Sequence, residues 1–237
     1  MTRIFTKKKR PVLEFMGNFI LLLSIAAAII FELSFFPETG LWPLVAKGMP
    51  VTLLGLYVAM NIRTLDHGLL ALALFASACG DVLLDMPMDD SFQRGMLGFA
   101  VAHIFYIVLF IKNRRMGYDV SRIRLNIAAI SWAVSTIIAI LLFDKMGDLA
   151  LMVIGYMVIL TMMVSSAQIS RYPFILVGVG PLLFFLSDGL IAGKMFLSLP
   201  EWTGSVIWIT YYLAQFLITM GVLIAPDKER RYQVNQF

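Results

Sequence analysis

One cysteine and two histidines stand among the 237 residues of this chain. The lone Cys79 excludes an intramolecular disulfide and any zinc site built on several thiolates; between Ala78 and Gly80 it reads as a small, helix-packing residue. With only His67 and His103 to draw on, a histidine-rich metal centre lacks its ligands. Charge is scarce as well: 14% of residues are Asp, Glu, Lys or Arg against 60% hydrophobic, and the mean hydropathy is +0.85. A globule of this size would lack the polar surface to cover itself, which excludes a soluble domain. Three familiar signatures are also missing: His-Glu-x-x-His, Gly-x-Ser-x-Gly and a phosphate-cradling glycine loop. The pI near 9.2 does not signal nucleic acid, because the basic residues sit at the ends of apolar segments rather than along a soluble face.

What is abundant is apolar length. A helix needs about 20 apolar residues to cross the hydrocarbon, and that rule picks out segments at about 14–34, 41–60, 67–85, 92–112, 123–143, 148–168, 172–195 and 203–225. The expectation is an all-α integral membrane protein: one transmembrane domain over 1–237, an eight-helix bundle. The first segment follows Lys7, Lys8, Lys9 and Arg10, but it is too long for the core of a signal peptide and has no small-residue cleavage site, so it reads as a retained helix. Short cytoplasmic loops carry the excess of Lys and Arg. With both termini cytoplasmic, the inside segments hold 15 of these residues and the outside loops only Arg94, Lys145 and Lys194. In a bacterium the expected location is the inner membrane; the lack of a targeting peptide and the short loops lean that way.

Topology gives each buried polar residue a depth, at about 1.5 Å per residue along a helix. Lys47, Asp81 and Asp188 all lie within seven residues of the outer ends of helices 2, 3 and 7. His103, Tyr106, Tyr211, Tyr212 and Gln215 fall between the outer half and the middle of helices 4 and 8. Scattered, independent polar residues have no reason to share a layer, so one outer cavity enclosed by helices 2, 3, 4, 7 and 8 is expected. Shifting the chain by 107 residues also lays Asp81-Val-Leu on Asp188-Gly-Leu, which is compatible with two parallel four-helix halves.

An ionised carboxylate inside a bilayer is costly, so Asp81 and Asp188 must be neutral, paired or facing water. Two facing carboxyls in low dielectric can divide their labour, one holding a proton as general acid and the other staying ionised as general base. The bland alternative pairs each with Lys47 or Lys194 and merely locks helices together. Asp85, Asp89 and Asp90 fall at the interface and read as solvated loop. Lys47 has three readings: it binds a phosphate, counters a carboxylate, or snorkels outward. His103 with Tyr106 suits either a proton relay or a satisfied core histidine; Tyr211, Tyr212 and Gln215 suit either a substrate or interhelical glue. Gly189-x-x-x-Gly193 reads as a helix-packing motif, which helices within a bundle use as readily as partner chains, so it does not fix an oligomeric state.

Together, GD-x-LL at Gly80 to Leu84, F-x-x-x-H-x-x-Y at Phe99 to Tyr106, Ser187-Asp188 behind Phe184-Phe185, YY-x-AQ at Tyr211 to Gln215 and the Lys47-x-x-Pro50 segment resemble the YhhN/TMEM86 family of lysoplasmalogenases. Each motif alone is weak; all of them in order across nearly the whole chain are specific. At Gly180-Pro181 the chain departs from the family's Gly-Ala, which predicts a kink in helix 7. The resemblance implies hydrolysis of the vinyl ether bond of lysoplasmalogens, giving a fatty aldehyde and a glycerophospho-ethanolamine or -choline. It implies catalysis by Asp81 and Asp188, with Lys47, His103, Tyr106, Tyr211, Tyr212 and Gln215 about the substrate. No metal or organic cofactor is required, and the partners are the lysophospholipid and membrane lipid. Rival readings are a proton-coupled transporter, which needs polar groups nearer the midplane and access to both sides, and a non-catalytic lipid-binding protein.

Overall fold

The protein is described by a computed structural model over residues 11–33, 41–115 and 120–225. The basic runs Lys7 to Arg10 and Lys228 to Arg231, on which the topology expectation partly rests, lie outside the described residues. In chain order the helices are α1 (Pro11–Glu32), α2 (Trp42–Met60), α3 (Leu65–Leu84), α4 (Ser91–Lys112), α5 (Arg122–Met146), α6 (Ala150–Gln168), α7 (Gly180–Leu197) and α8 (Thr203–Leu223). Among the described residues the only β pairing is an isolated bridge between Arg114 and Ser170. Seven stretches are long and apolar enough to cross a membrane, and the fifth, Arg122–Gln168, runs 47 residues through α5 and α6 together. The chain is a helical, multi-pass membrane protein.

Local chemistry sets the helix ends. Thr64 caps α3 by accepting from the His67 amide, and Ser121 caps α5 by accepting from the Arg124 amide. Between α5 and α6 the chain reverses in the short 3-10 turn Gly147–Leu149, where Gly147 takes φ 52°, a left-handed conformation that glycine adopts without strain. The stretch expected to form one kinked helix over 172–195 is divided instead. A π-helical turn, Phe174–Gly178, precedes α7, and Pro181 falls in the first turn of α7, where its missing N–H leaves no bond unmade. The Gln168 amide donates to the Gly178 carbonyl at 2.8 Å across this break.

Asp85 and Glu201 mark one end of the bundle, and Asp66 the other. At the Asp66 end, Lys112 donates to that carboxylate at 2.5 Å and the Tyr172 hydroxyl at 3.2 Å, tying α3, α4 and the α6–α7 connection. Burial first, and then the Asp66 charge, hold the Tyr172 phenol well above its ordinary range. Arg124 is more than a topological charge: its guanidinium donates to the carbonyls of Gln168, Ser170 and Tyr172 at 3.0, 2.8 and 2.9 Å. It therefore satisfies and charge-complements the C-terminal end of α6.

The main core gathers Leu54, Leu74, Leu109, Phe110, Phe184 and Ile218, with α3 and α4 at its centre. Those two approach very closely, since a Cβ on Gly98 would lie 2.8 Å from the Gly80 Cα. By contrast α5 contributes Leu142 and Met146, with the half-buried Ile138, to a small separate cluster with Met96 and Val153. Cys79 was expected to pack between helices; it lies on the exposed face of α3 because its neighbours Ala78 and Gly80 turn inward.

Candidate active site

A cavity of about 640 Å³ opens at the Asp85 end of the bundle. Lys47 of α2, Asp81 of α3, Asp188 and Lys194 of α7 and Tyr211 of α8 all line it. Phe31 and Glu32 of α1 add a wall that the depth argument did not assign.

Asp81 is 2% exposed. Its Oδ2 accepts from the Tyr211 hydroxyl at 2.6 Å. The neighbouring Gly80 makes the position possible, because the Phe99 ring occupies the space where a side chain would begin, 3.0 Å from an added Cβ. Phe99 in turn meets Phe184 and Tyr211 edge-on, with centroids 6.1 and 5.8 Å away, an arrangement aromatic quadrupoles favour. These three rings form a rigid floor under the carboxyl.

Asp188, also buried, is held from the other side. The Tyr156 hydroxyl of α6 donates to its Oδ2 in a short hydrogen bond. His103 Nε2 lies 3.0 Å from the Tyr156 oxygen and 3.6 Å from the same Asp188 oxygen. Because Tyr156 gives its proton to Asp188, its oxygen is placed to accept from His103 Nε2–H, while His103 Nδ1 has no hydrogen-bond partner among the described residues. Next door, the Ser187 hydroxyl donates to the Ile207 carbonyl at 3.0 Å and fixes α7 against α8. Each acid thus has its own tyrosine, the buried Tyr211 of α8 for Asp81 and the half-buried Tyr156 of α6 for Asp188.

The lysines do not serve as counterions to these acids by direct ion pairing. Lys47 Nζ donates to Asp85 at 2.7 Å, and Lys194 Nζ to Glu201 at 2.9 Å. That hydrogen bond holds the exposed Glu201 carboxyl below its ordinary range. Asp85 is therefore a partner of a cavity lysine as well as an interfacial residue. Among the described residues, no group of three His, Cys, Asp or Glu side chains is placed to hold a metal ion.

The remaining residues singled out by sequence lie behind the cavity wall. Tyr106 donates to Gln215 Oε1 at 2.5 Å, both side chains being fully buried. The Tyr212 hydroxyl lies 2.8 Å from Ser24 Oγ of α1, which donates to the Pro50 carbonyl at 2.7 Å. Tyr156 had no place in the sequence reading. Its only signal was being the one strongly polar side chain in LMVIGYMVIL, and a tyrosine in an apolar helix is too ordinary to stand out until the register of α6 is known.

Three comparisons bear on this arrangement. The chain is 34% identical over 154 residues to human lysoplasmalogenase TMEM86B, covering 65% of this chain and 63% of that protein. It is 31% identical over 158 residues to the lysoplasmalogenase of Mycobacterium tuberculosis, covering 65% and 60%, and 27% identical over 164 residues to bovine lysoplasmalogenase TMEM86A, covering 68% and 67%. The match thus spans about 60–63% of the length of the first two relatives. No solved structure matches the chain. The model of the YhhN family matches residues 42–222, a span that holds both acids, both tyrosines and both lysines of the cavity. The chain belongs to the YhhN family.

Proposed function

We propose that this protein is a lysoplasmalogenase, hydrolysing the vinyl ether bond of alkenyl-glycerophospho-ethanolamine or -choline to a fatty aldehyde and the glycerophospho headgroup. The observation that carries the reading is the presence of two buried carboxyls, Asp81 and Asp188, on one cavity, each held by a tyrosine and, among the described residues, neither bound to a lysine. The reaction needs such a pair. One carboxyl, protonated, gives its proton to the alkenyl carbon next to the ether-bearing one, and the electron pair of the double bond forms the new C–H bond. The resulting oxocarbenium ion is stabilised by the second carboxylate, which takes a proton from water as the water oxygen bonds to the cation. The hemiacetal then collapses: the second carboxyl returns its proton to the glycerol oxygen as the C–O bond breaks, and the first carboxylate takes the hemiacetal O–H proton, which leaves aldehyde and glycerol hydroxyl and restores both acids. No metal or organic cofactor and no nucleic acid enters this scheme.

In this reading Lys47 and Lys194 meet the phosphate by exchanging Asp85 and Glu201 for it. Tyr211 orients Asp81; His103 and Tyr156 orient Asp188; Tyr106, Tyr212 and Gln215 position the helices behind them. The chain forms a single transmembrane domain with eight crossings, α5 and α6 counting separately, with both termini cytoplasmic and the cavity toward the outer leaflet. In a bacterium it resides in the inner membrane. The two halves are four-helix repeats: Asp81 of α3 reaches α8, and Asp188 of α7 reaches toward His103 of α4, the reciprocal contact that a twofold relation favours.

The test is aldehyde release by detergent-purified protein, which needs no sealed compartment. In deuterated water the reaction should slow and deuterium should appear on the aldehyde's α-carbon. A saturated-ether analogue should inhibit without being cleaved. Absence of aldehyde, or cleavage of the saturated ether, overturns the proposal.

A further inference from the structure

Asp188 borders two spaces. One is the polar cavity; the other is a narrow apolar crevice, about 60 Å³ of open volume, between α4, α6 and α7 with Ile138 of α5 at its edge. Leu84, Phe99 and Ile191 line both as well, so the two spaces adjoin at the acid. Apart from Asp188 and the Tyr156 hydroxyl, the crevice side chains are apolar, among them Phe92, Met96, Val153 and Met157. Met157 also lines a groove of about 500 Å³ between α5 and α6, where the exposed Ile140 and Phe143 face outward. One flexible thioether side chain therefore borders both the crevice beside the acid and the surface groove.

Gly189 is the second observation. A glycine in a helix interior is destabilising relative to alanine, and a close helix contact is the usual compensation. Among the described residues none exists, for a Cβ on Gly189 would meet nothing within 4 Å, while Gly193 packs on Leu199 of the following loop. Gly189 lines the crevice one residue beyond Asp188. Its missing side chain is open space beside the acid.

We infer that this crevice is the binding site for the hydrocarbon tail of a single-chain amphiphile, with Gly189 as the residue that sets its width. The inference rests on the lipid reading of the cavity. Charge polarity fixes the direction: the cations Lys47 and Lys194 line only the polar cavity, so an anionic headgroup lies there and the chain leaves past Asp188. The open volume takes only the first carbons. The rest of a tail advances by displacing Met96 and Met157, whose unbranched side chains repack readily, toward the groove between α5 and α6.

A wild-type test uses a saturated-ether lysophospholipid carrying a diazirine midway along its tail, photolysed on the detergent-solubilised protein and mapped by mass spectrometry. Label should fall on Phe92–Met96 and Val153–Met157 and be suppressed by excess unlabelled analogue. Label confined to the outward faces of α1 and α5, or label that excess analogue does not suppress, overturns the inference. In the kinetic arm, Gly189→Leu should lower the ratio of kcat/KM for long over short alkenyl chains by about tenfold, the worth of roughly two buried methylenes. Gly189→Ala should move the ratio the same way by less, and it decides the matter if the leucine variant fails to fold. An unchanged ratio in the folded variants counts against the tail site. Should wild-type protein release no aldehyde, the hydrolase reading falls, and cross-linking alone still decides whether the tail lies here.

Discussion

A Cβ on Gly98 of α4 would lie 2.8 Å from the Gly80 Cα, and one on Gly95 would lie 2.8 Å from the Leu84 Cα; at Gly155 of α6 and Gly189 of α7 it would meet nothing within 4 Å. The α3–α4 seam spends glycine on contact, whereas Gly155 and Gly189 leave open space, although Gly180 and Gly193 at the two ends of α7 are closely packed. The two acids divide along the same line. Asp81 stands on the tight seam above interlocked aromatic rings, and Asp188 faces the loose side, held by Tyr156 and bordered by a crevice. Both carboxyls accept from a tyrosine, but Asp81 has the interlocked rings beside it as well. A site that must hold a reacting bond and also admit a long flexible chain needs both kinds of wall.

The strongest way to break this comparison is to neutralise each acid in turn. Asp81→Asn and Asp188→Asn should insert and fold yet each lose at least about a hundredfold in turnover, general acid–base catalysis being worth about 10² to 10⁴. If only one loses activity, the other wall is scaffold. Next come the tyrosines. Tyr211→Phe and Tyr156→Phe each remove a hydrogen bond to a carboxyl, an interaction worth about 1.5–3 kcal/mol when charged, so turnover should fall by about ten- to a hundredfold. The Tyr156 variant should suffer more, because its acid has no aromatic floor to hold it; equal losses would erase the distinction.

The glycines test packing without touching chemistry. Gly98→Val should lower the thermal unfolding midpoint in detergent, overpacking costing about 1–3 kcal/mol, while Gly155→Ala should raise it slightly, a helical glycine costing about 0.5–1 kcal/mol relative to alanine. A tolerated valine at 98 would mean that the seam can open. The smallest effect belongs to Asp85→Asn. Its pair with Lys47 is partly exposed, where ion pairs contribute about 0–1 kcal/mol, so kcat/KM should change by less than about fivefold.

Much of the site was legible because a bilayer makes polarity expensive. Asp81, Asp188, Lys47 and Tyr211 stand out in apolar sequence, and their depths, read from helix length and charge bias, place them in one layer that the cavity occupies. What was not legible depends on helix rotation, which a uniformly apolar helix does not encode. Tyr156 is such a case. Tyr106, Tyr212 and Gln215 share the layer but turn toward other helices rather than the cavity. Arg124 looked like one topological charge among several, and its bonds to three carbonyls follow only once α5 and α6 are seen side by side. Gly189 and Gly193 read as a packing pair, but the spacing cannot say whether a neighbour is present. The π-helical turn ahead of Pro181 left no mark beyond the proline itself.

Arg124 and Gly147 have a consequence for how the chain is made. The 47-residue, largely apolar span from Arg122 to Gln168 reverses only at the turn beginning at Gly147. Both arms can partition into the bilayer together as one hairpin, a unit that depends on no distant segment. As the second arm ends, Arg124 at the base of the first reaches the carbonyls of Gln168, Ser170 and Tyr172 and latches the open end. The hairpin is thus closed at the tip by backbone geometry and at the base by a cation, with no contribution from α7 or α8 to either closure. Helices that are stable in the membrane individually need only dock afterwards. A prefabricated hairpin of this kind requires little from the final interface, which accounts for how lightly α5 is rooted in the core and leaves its flank free to give way.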